Sequence, residues 1–175
     1  MRVGLFIPCY VDQFYPGAAI ATLKLLKKLG VNVVYPLNQT CCGQPMANSG
    51  FEHLTKNCDR LFIDNFAEFD YIVSPSGSCV LHIKDHLHSN EKEHEAHEIR
   101  HKIYELVEFL TDVLKVDNLQ AHFPYKVGLH QSCHGQTLPE FDCHSERRHC
   151  QPEQGKRQEV ARGQAPQNFW RRRLR

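Results

Sequence analysis

The run Thr40-Cys41-Cys42-Gly43-Gln44-Pro45 places two cysteines side by side, followed by glycine and proline. Adjacent cysteines rarely bond to each other, because the small ring they would close is strained. From one tight turn they point in different directions. That suits two ligands of a metal cluster, or one ligand and one redox thiol. Gly43 can take a positive φ and let backbone approach a bulky group, and Pro45 stiffens the exit. The chemistry then depends on whether other cysteines reach the same place.

The elements around this turn predict that they do. Residues 2–8 are largely apolar and end at Pro8-Cys9, so they read as a buried strand delivering Cys9 at its C-terminal end. Pro16-Gly17 opens a helix whose apolar face carries Leu23, Leu26 and Leu29, with Lys24, Lys27 and Lys28 outside and Gly30 as its stop. Residues 31–36 form a second strand, which makes a βαβ unit with parallel strands. After the Cys-Cys loop a helix is expected from roughly Gly50 to Phe69. Residues 70–75 read as a third strand running into Ser76-Gly77-Ser78-Cys79, and a further helix starts near Val80. The expected class is α/β: a three-layer, Rossmann-like unit with a mainly parallel sheet. In such a sheet the C-terminal strand ends form one rim where ligands bind. Cys9, Cys41, Cys42 and Cys79 all fall on that rim.

Composition sets the outer limits. The chain has 175 residues, 41% hydrophobic and 23% charged, which fits one ordinary globular domain or a small domain plus a fragment. A formal net charge of +1 implies neither a nucleic-acid partner nor an acidic substrate. No apolar run approaches the roughly 20 residues that span a bilayer. The first residues reach Cys9, Tyr10 and Asp12 too soon for a signal peptide and read as a first strand, so a cytoplasmic protein is expected. Eight cysteines in such a chain point to metal or redox chemistry before structural disulfides. Cys58 lies mid-helix without a neighbouring cysteine and reads as a small buried hydrophobe.

Two other stretches invite attention. His94, His97 and His101 share one helical face within a charged segment that also holds His86 and His88. A zinc site could be drawn there, but a solvated helix face explains the pattern with less. From Ile103 to Leu114 apolar residues recur at the helical period, which predicts a helix packed on the sheet.

Lys126-Val127-Gly128-Leu129-His130-Gln131-Ser132-Cys133 echoes Arg2-Val3-Gly4-Leu5-Phe6-Ile7-Pro8-Cys9, an internal repeat offset by 124 positions. A full second copy would place another Cys-Cys-Gly near position 165, where the sequence reads Gln164-Ala165-Pro166. After about Pro139 apolar periodicity is lost, and residues 143–175 hold eight arginines. The expected organisation is a first cysteine-rich unit over 1–122, the start of a truncated second unit over 123–139, and an aberrant Arg/Gln-rich, disordered tail over 140–175. The tail could instead be a basic arm, or a metal site of Cys143, His144, His149 and Cys150. A shift of reading frame within a truncated repeat accounts best for its abrupt start.

The spacing of Cys9, Cys41-Cys42-Gly43 and Cys79, with Asn48-Ser49-Gly50 and Ser74-Pro75-Ser76-Gly77-Ser78, resembles the cysteine-rich CCG-domain family. That family includes the CCG-bearing component of heterodisulfide reductase, the iron–sulfur component of glycolate oxidase and, nearest in motif, lactate utilization protein A. The resemblance spans residues 1 to about 136. It implies an iron–sulfur cluster of the [4Fe–4S] type held by Cys9, Cys41, Cys42 and Cys79, with Cys133 as an orphan first ligand of the second unit. Where the family motif often ends Cys-x-x-Cys, Ser76 occupies the first of those positions, which removes one sulfur ligand. The implied function is that of a redox, electron-transfer component of an oxidoreductase complex of three proteins that oxidises L-lactate to pyruvate, with the 2-hydroxy acid handled through its partners. No convincing acid–base pair for hydride removal is present. Backbone N–H groups of Gly43, Gln44 and Ser78 would tune the sulfurs. The alternatives are a cluster-free dithiol or zinc-binding protein, and a non-functional truncated fragment.

Overall fold

A computed structural model describes residues 1–126. Four parallel strands form one sheet in the order β2-β1-β3-β4, with β1 at Arg2–Leu5, β2 at Asn32–Val34, β3 at Tyr71–Ser74 and β4 at Ile103–Glu105. The fold is thus the expected α/β class. Strands are shorter than their apolar runs because Phe6, Ile7 and Pro8 continue past the ladder toward the rim.

Side chains alternate across the sheet as the strand period requires. Val3, Leu5, Ile7 and Val73 pack on one face with Leu26 from α2 (Pro16–Lys28) and with Phe109 and Leu110. Phe6, Ile72 and Ile103 pack on the other with Phe62, Ile63 and Phe66 from α4 (Lys56–Phe66), with Val80 and Ile83 from α5 (Gly77–His86), and with Ile99 from α6 (Glu93–Lys102). Phe6 meets Phe62 edge-on at a centroid distance of 4.9 Å, and Phe62 stacks on Phe66 at 4.6 Å. Gly4 faces this second side, where a Cβ would lie 2.8 Å from the Phe69 ring.

Several local expectations change. Cys9 opens a short helix, α1 (Cys9–Phe14), before Pro16 starts α2, and Gly30 ends α2 at φ +77° as its position suggests. The helix expected over 50–69 is interrupted: α3 (Gln44–Asn48) follows the Cys-Cys-Gly turn, a 3₁₀ turn covers Glu52–Leu54, and α4 begins only at Lys56. Gly50, at φ +83°, separates the pieces.

The largest difference lies at 103–114. Ile103, Tyr104 and Glu105 form β4 rather than the first turn of a helix. Helical conformation resumes only at α7 (Leu106–Glu108) and continues as a π-type turn over Phe109–Val113. Ile103 is fully buried and pairs with Ile72, so a free sheet edge outweighs the 3.6-residue pattern. Glu105 caps α7, accepting from the Val107 N–H while its own N–H donates to Glu108. Residues 127–139 of the second repeat unit, with Cys133, and the tail residues Cys143, His144, His149 and Cys150 lie outside the described residues.

Candidate metal centre at the strand-end rim

β1 sits between β2 and β3, so the chain leaves it in one direction first and in the other later. The crevice at such a reversal is where open parallel sheets bind ligands. Cys9 follows β1, Cys41 and Cys42 follow β2, and Cys79 follows β3 in the first turn of α5.

The structure brings these four together as two pairs. The Cys9 and Cys41 sulfurs are 3.4 Å apart, and the Cys42 thiol is hydrogen-bonded to Cys79. The pairs are adjacent: the charge of Cys79 acts on Cys9, and that of Cys41 acts on Cys42. Cys9 is exposed and Cys41 half-buried, whereas Cys42 and Cys79 are buried at 2% and 8% exposure. The site therefore has a solvent-facing rim and a dry floor.

One side chain without a marker in the sequence holds the two loops in register. Gln39 Oε1 accepts from the Ile7 N–H at 2.7 Å, and its Nε2 donates to the carbonyls of Leu5 at 3.1 Å and Pro36 at 2.9 Å. Gln39 thereby ties the approach to Cys41 onto the exit of β1, two residues before Cys9. A glutamine in a loop carries no periodicity that would single it out.

The Cys-Cys turn itself depends on Gly43, which has φ +89°. A Cβ there would come within 3.2 Å of the Thr55 side chain and 3.7 Å of His82 Nε2. The Gly43 N–H points at Cys41 Sγ, 3.4 Å away, and Gln44 supplies a backbone hydrogen bond to Cys42. Those two donors match the expectation. At Cys79 the hydroxyls of Ser76 and Ser78 serve instead of the expected Ser78 N–H.

The thiols differ in acidity. The Cys42 thiol, donating to Cys79, lowers the latter to about 6; burial opposes this, and the two serine hydroxyls assist. The same bond and burial push Cys42 upward. Cys9 is raised to about 11 by burial and by its contact with Cys41. Cys79, third residue of α5, also lies where the helix N-terminus favours a thiolate.

Cys58 is half-buried on α4 and feels the charge of Cys41, so it lies near the site although its sequence context gives no sign of it. His82, likewise unmarked, is buried one helical turn beyond Cys79, its pKa lowered by burial and by His86. The histidines of α6 behave as a solvated face. His94, His97 and His101 all belong to that helix, and the Nε2 atoms of the exposed pair His97 and His101 lie 3.3 Å apart.

Thiolates suit soft metals, iron and zinc among them. A single tetrahedral zinc would need all its sulfurs within roughly 3.8 Å of one another. Among the described residues no three His, Cys, Asp or Glu side chains converge on such a point. The four thiols stand instead as two pairs, Cys9 with Cys41 and Cys42 with Cys79.

Residues 3–84 match the family model described as a cysteine-rich domain, CCG. Residues 3–84 are thus a CCG cysteine-rich domain. It is 41% identical over 138 residues to lactate utilization protein A of Geobacillus thermodenitrificans, covering 77% of this chain and 58% of that protein. It is 44% identical over 142 residues to the protein of the same name from Shouchella clausii, covering 79% and 59%, and 39% identical over 138 residues to that of Bacillus subtilis, covering 77% and 58%. The chain thus spans less than two thirds of the length of these relatives. No solved structure matches it. Among the described residues no helix is long and apolar enough to cross a membrane.

Proposed function

We propose that the CCG domain holds an iron–sulfur cluster, of the [4Fe–4S] type, through Cys9, Cys41, Cys42 and Cys79, and relays electrons in lactate utilisation. The observation that supports this most is the meeting of four cysteines from three strand ends at one rim, as the pairs Cys9/Cys41 and Cys42/Cys79. When bound, such a group supplies one-electron transfer. The chain's own residues do the rest. Cys79 stands ready as a thiolate, Gly43 and Gln44 direct N–H groups at sulfur, and Gln39 sets the spacing of Cys9 and Cys41. Phe6 and Phe62 are among the buried side chains around the Cys42/Cys79 floor and keep it dry.

Oxidation of L-lactate to pyruvate removes two electrons and two protons. The cluster would take the electrons singly, and the substrate chemistry would sit with partner proteins of a three-protein complex. The oxidoreductase role, the cytoplasmic location and those partners belong to this proposal, which draws on the names of the relatives.

Anaerobic loading of the whole chain with iron and sulfide, followed by analysis of iron, sulfide and zinc, tests the reading. Bound iron and sulfide with charge-transfer absorbance are expected. Zinc alone, or no metal at all, would sink it.

The 3.4 Å separation of Cys9 and Cys41 supports a second reading, a dithiol that closes to a disulfide. In that step each thiol gives up a proton, the S–S bond forms, and two electrons pass to a disulfide substrate, which is reduced to two thiols. A metal-free chain that reduces disulfides catalytically, and loses this with Cys9→Ser, would favour it.

A further inference from the structure

The exposed face of α6 carries a pair of imidazoles that the cysteine site does not use. His97 and His101 lie four residues apart, so their side chains stand on one face of the helix, one turn from each other. Their ring centroids are 4.6 Å apart, and their Nε2 atoms face each other at 3.3 Å. Ring nitrogens come that close when one donates to the other, or when both give a lone pair to a third atom between them. Two nitrogens on a tetrahedral zinc ion, each at ~2.0–2.1 Å, lie ~3.3–3.4 Å apart. The pair already stands at that spacing.

The helix holds this spacing from its other face. Ala96 and Ile99 are fully buried, Arg100 donates to Glu93 and to the Leu87 carbonyl, and the Lys102 ammonium donates to the Ala67 carbonyl. The two cations beside the pair are thus tied elsewhere. Glu98, exposed and three residues before His101, adds negative charge on the same side. Among the described residues no three His, Cys, Asp or Glu side chains converge on one point, so the protein supplies two donors and water the rest. The pair also stands apart from the cysteines. His101 lies two residues before Ile103, where β4 begins, and the strands are parallel. It therefore sits toward the N-terminal edge of the sheet, opposite the strand-end rim.

We propose that His97 and His101 form a bidentate, solvent-facing site for a divalent transition cation of the zinc class, with both Nε2 atoms as ligands. Imidazole suits such ions. The site is independent of the iron–sulfur reading.

The test uses the whole chain with ¹⁵N-labelled histidine, titrated anaerobically with zinc chloride and followed by nuclear magnetic resonance of the ring nitrogens. His97→Ala and His101→Ala, both at exposed positions, assign the two signals. In the parent both Nε2 signals should move together as zinc is added. In His97→Ala the His101 signal should need at least about 10-fold more zinc, since losing a ligand costs no less than losing a residue that merely supports one. His94→Ala, on the same helix, should respond as the parent does. Zinc taken up by thiols would leave these two signals in place, so that uptake is not mistaken for the pair. The proposal is overturned if both signals stay fixed while the chain takes up zinc. It is equally overturned if His101 responds at the same zinc concentration with His97 present or absent, or if His94→Ala weakens the response as much as His97→Ala.

Discussion

The sulfurs of Cys9 and Cys41 lie 3.4 Å apart although they follow different strands and are separated by 32 positions. The contact exists because β1 and β2 are parallel neighbours in register, Arg2 opposite Asn32 and Gly4 opposite Val34. Both strands therefore release their chains at the same edge of the sheet. Gln39 then removes the remaining freedom by bonding to the backbone at both Leu5 and Ile7. The site is a consequence of strand pairing, fixed by one amide side chain.

That amide gives the first prediction. Gln39→Ala removes three hydrogen bonds at a part-buried junction and should cost ~2–3 kcal/mol, near 1 kcal/mol for each bond. Denaturant unfolding of the metal-free chain measures this. Iron retention should fall as well, since Cys9 and Cys41 lose their fixed spacing. Unchanged stability and retention would show that the loop is held by other means.

Gly43→Ala should be unfavourable for two separable reasons. Its φ of +89° disfavours any side chain, and the new Cβ would press on Thr55 at 3.2 Å. A loss of ~2–4 kcal/mol is expected from strain and overpacking together. Adding Thr55→Ser removes the methyl group and should recover part of that loss, leaving the contact with Thr55 Cβ and the backbone strain. Complete recovery in the double variant would mean that the positive φ is not retained in solution.

Gly4→Ala serves as a contrast, because it acts on the core and not on the rim. Its Cβ would lie 2.8 Å from the Phe69 ring and 3.0 Å from Phe66, for an expected cost of ~1–3 kcal/mol. Iron and sulfide content per folded chain should match the parent. A selective loss of iron would instead tie the aromatic layer to the site.

The metal-free chain should show graded thiol acidity. One thiolate is expected to appear near pH 6, read from thiolate ultraviolet absorbance, and to vanish in Cys79→Ser. In Cys42→Ala it should appear at higher pH, because its hydrogen-bond donor is gone. Cys9 should stay protonated until about pH 11. The sign for stability follows from linkage. Cys79 has a depressed pKa, so its contribution is full above the ordinary thiol value of about 9 and is lost as pH falls toward 6. Cys9 works in the opposite direction, its contribution present below 9 and lost as pH rises toward 11. A titration with all thiols near their ordinary values would contradict the pairing.

Much of this is legible in the residues themselves. The strands at 2–5 and 71–74 announce themselves as short apolar runs ended by Pro8 and Pro75, and cysteines just beyond such ends must reach one rim. Ile103-Tyr104-Glu105 is not legible, because a three-residue strand flanked by helix keeps the helical period of its neighbours. Its conformation is decided by the open edge of β3, a tertiary fact. Gln39 and Thr55 are hidden for a related reason: polar loop residues act here through single contacts with distant backbone or with one glycine. His82 lies one helical turn from Cys79, but nothing in its local sequence says that it is buried.

The central claim is that Cys9, Cys41, Cys42 and Cys79 form one donor set. The most direct measurement is iron and sulfide content per chain after anaerobic loading, for the parent and for five single variants. Each of Cys9→Ser, Cys41→Ser, Cys42→Ser and Cys79→Ser should lose most of the bound iron and the visible absorbance, while Cys58→Ser should keep both. Equal iron content across all five variants, or none in the parent, would contradict the account.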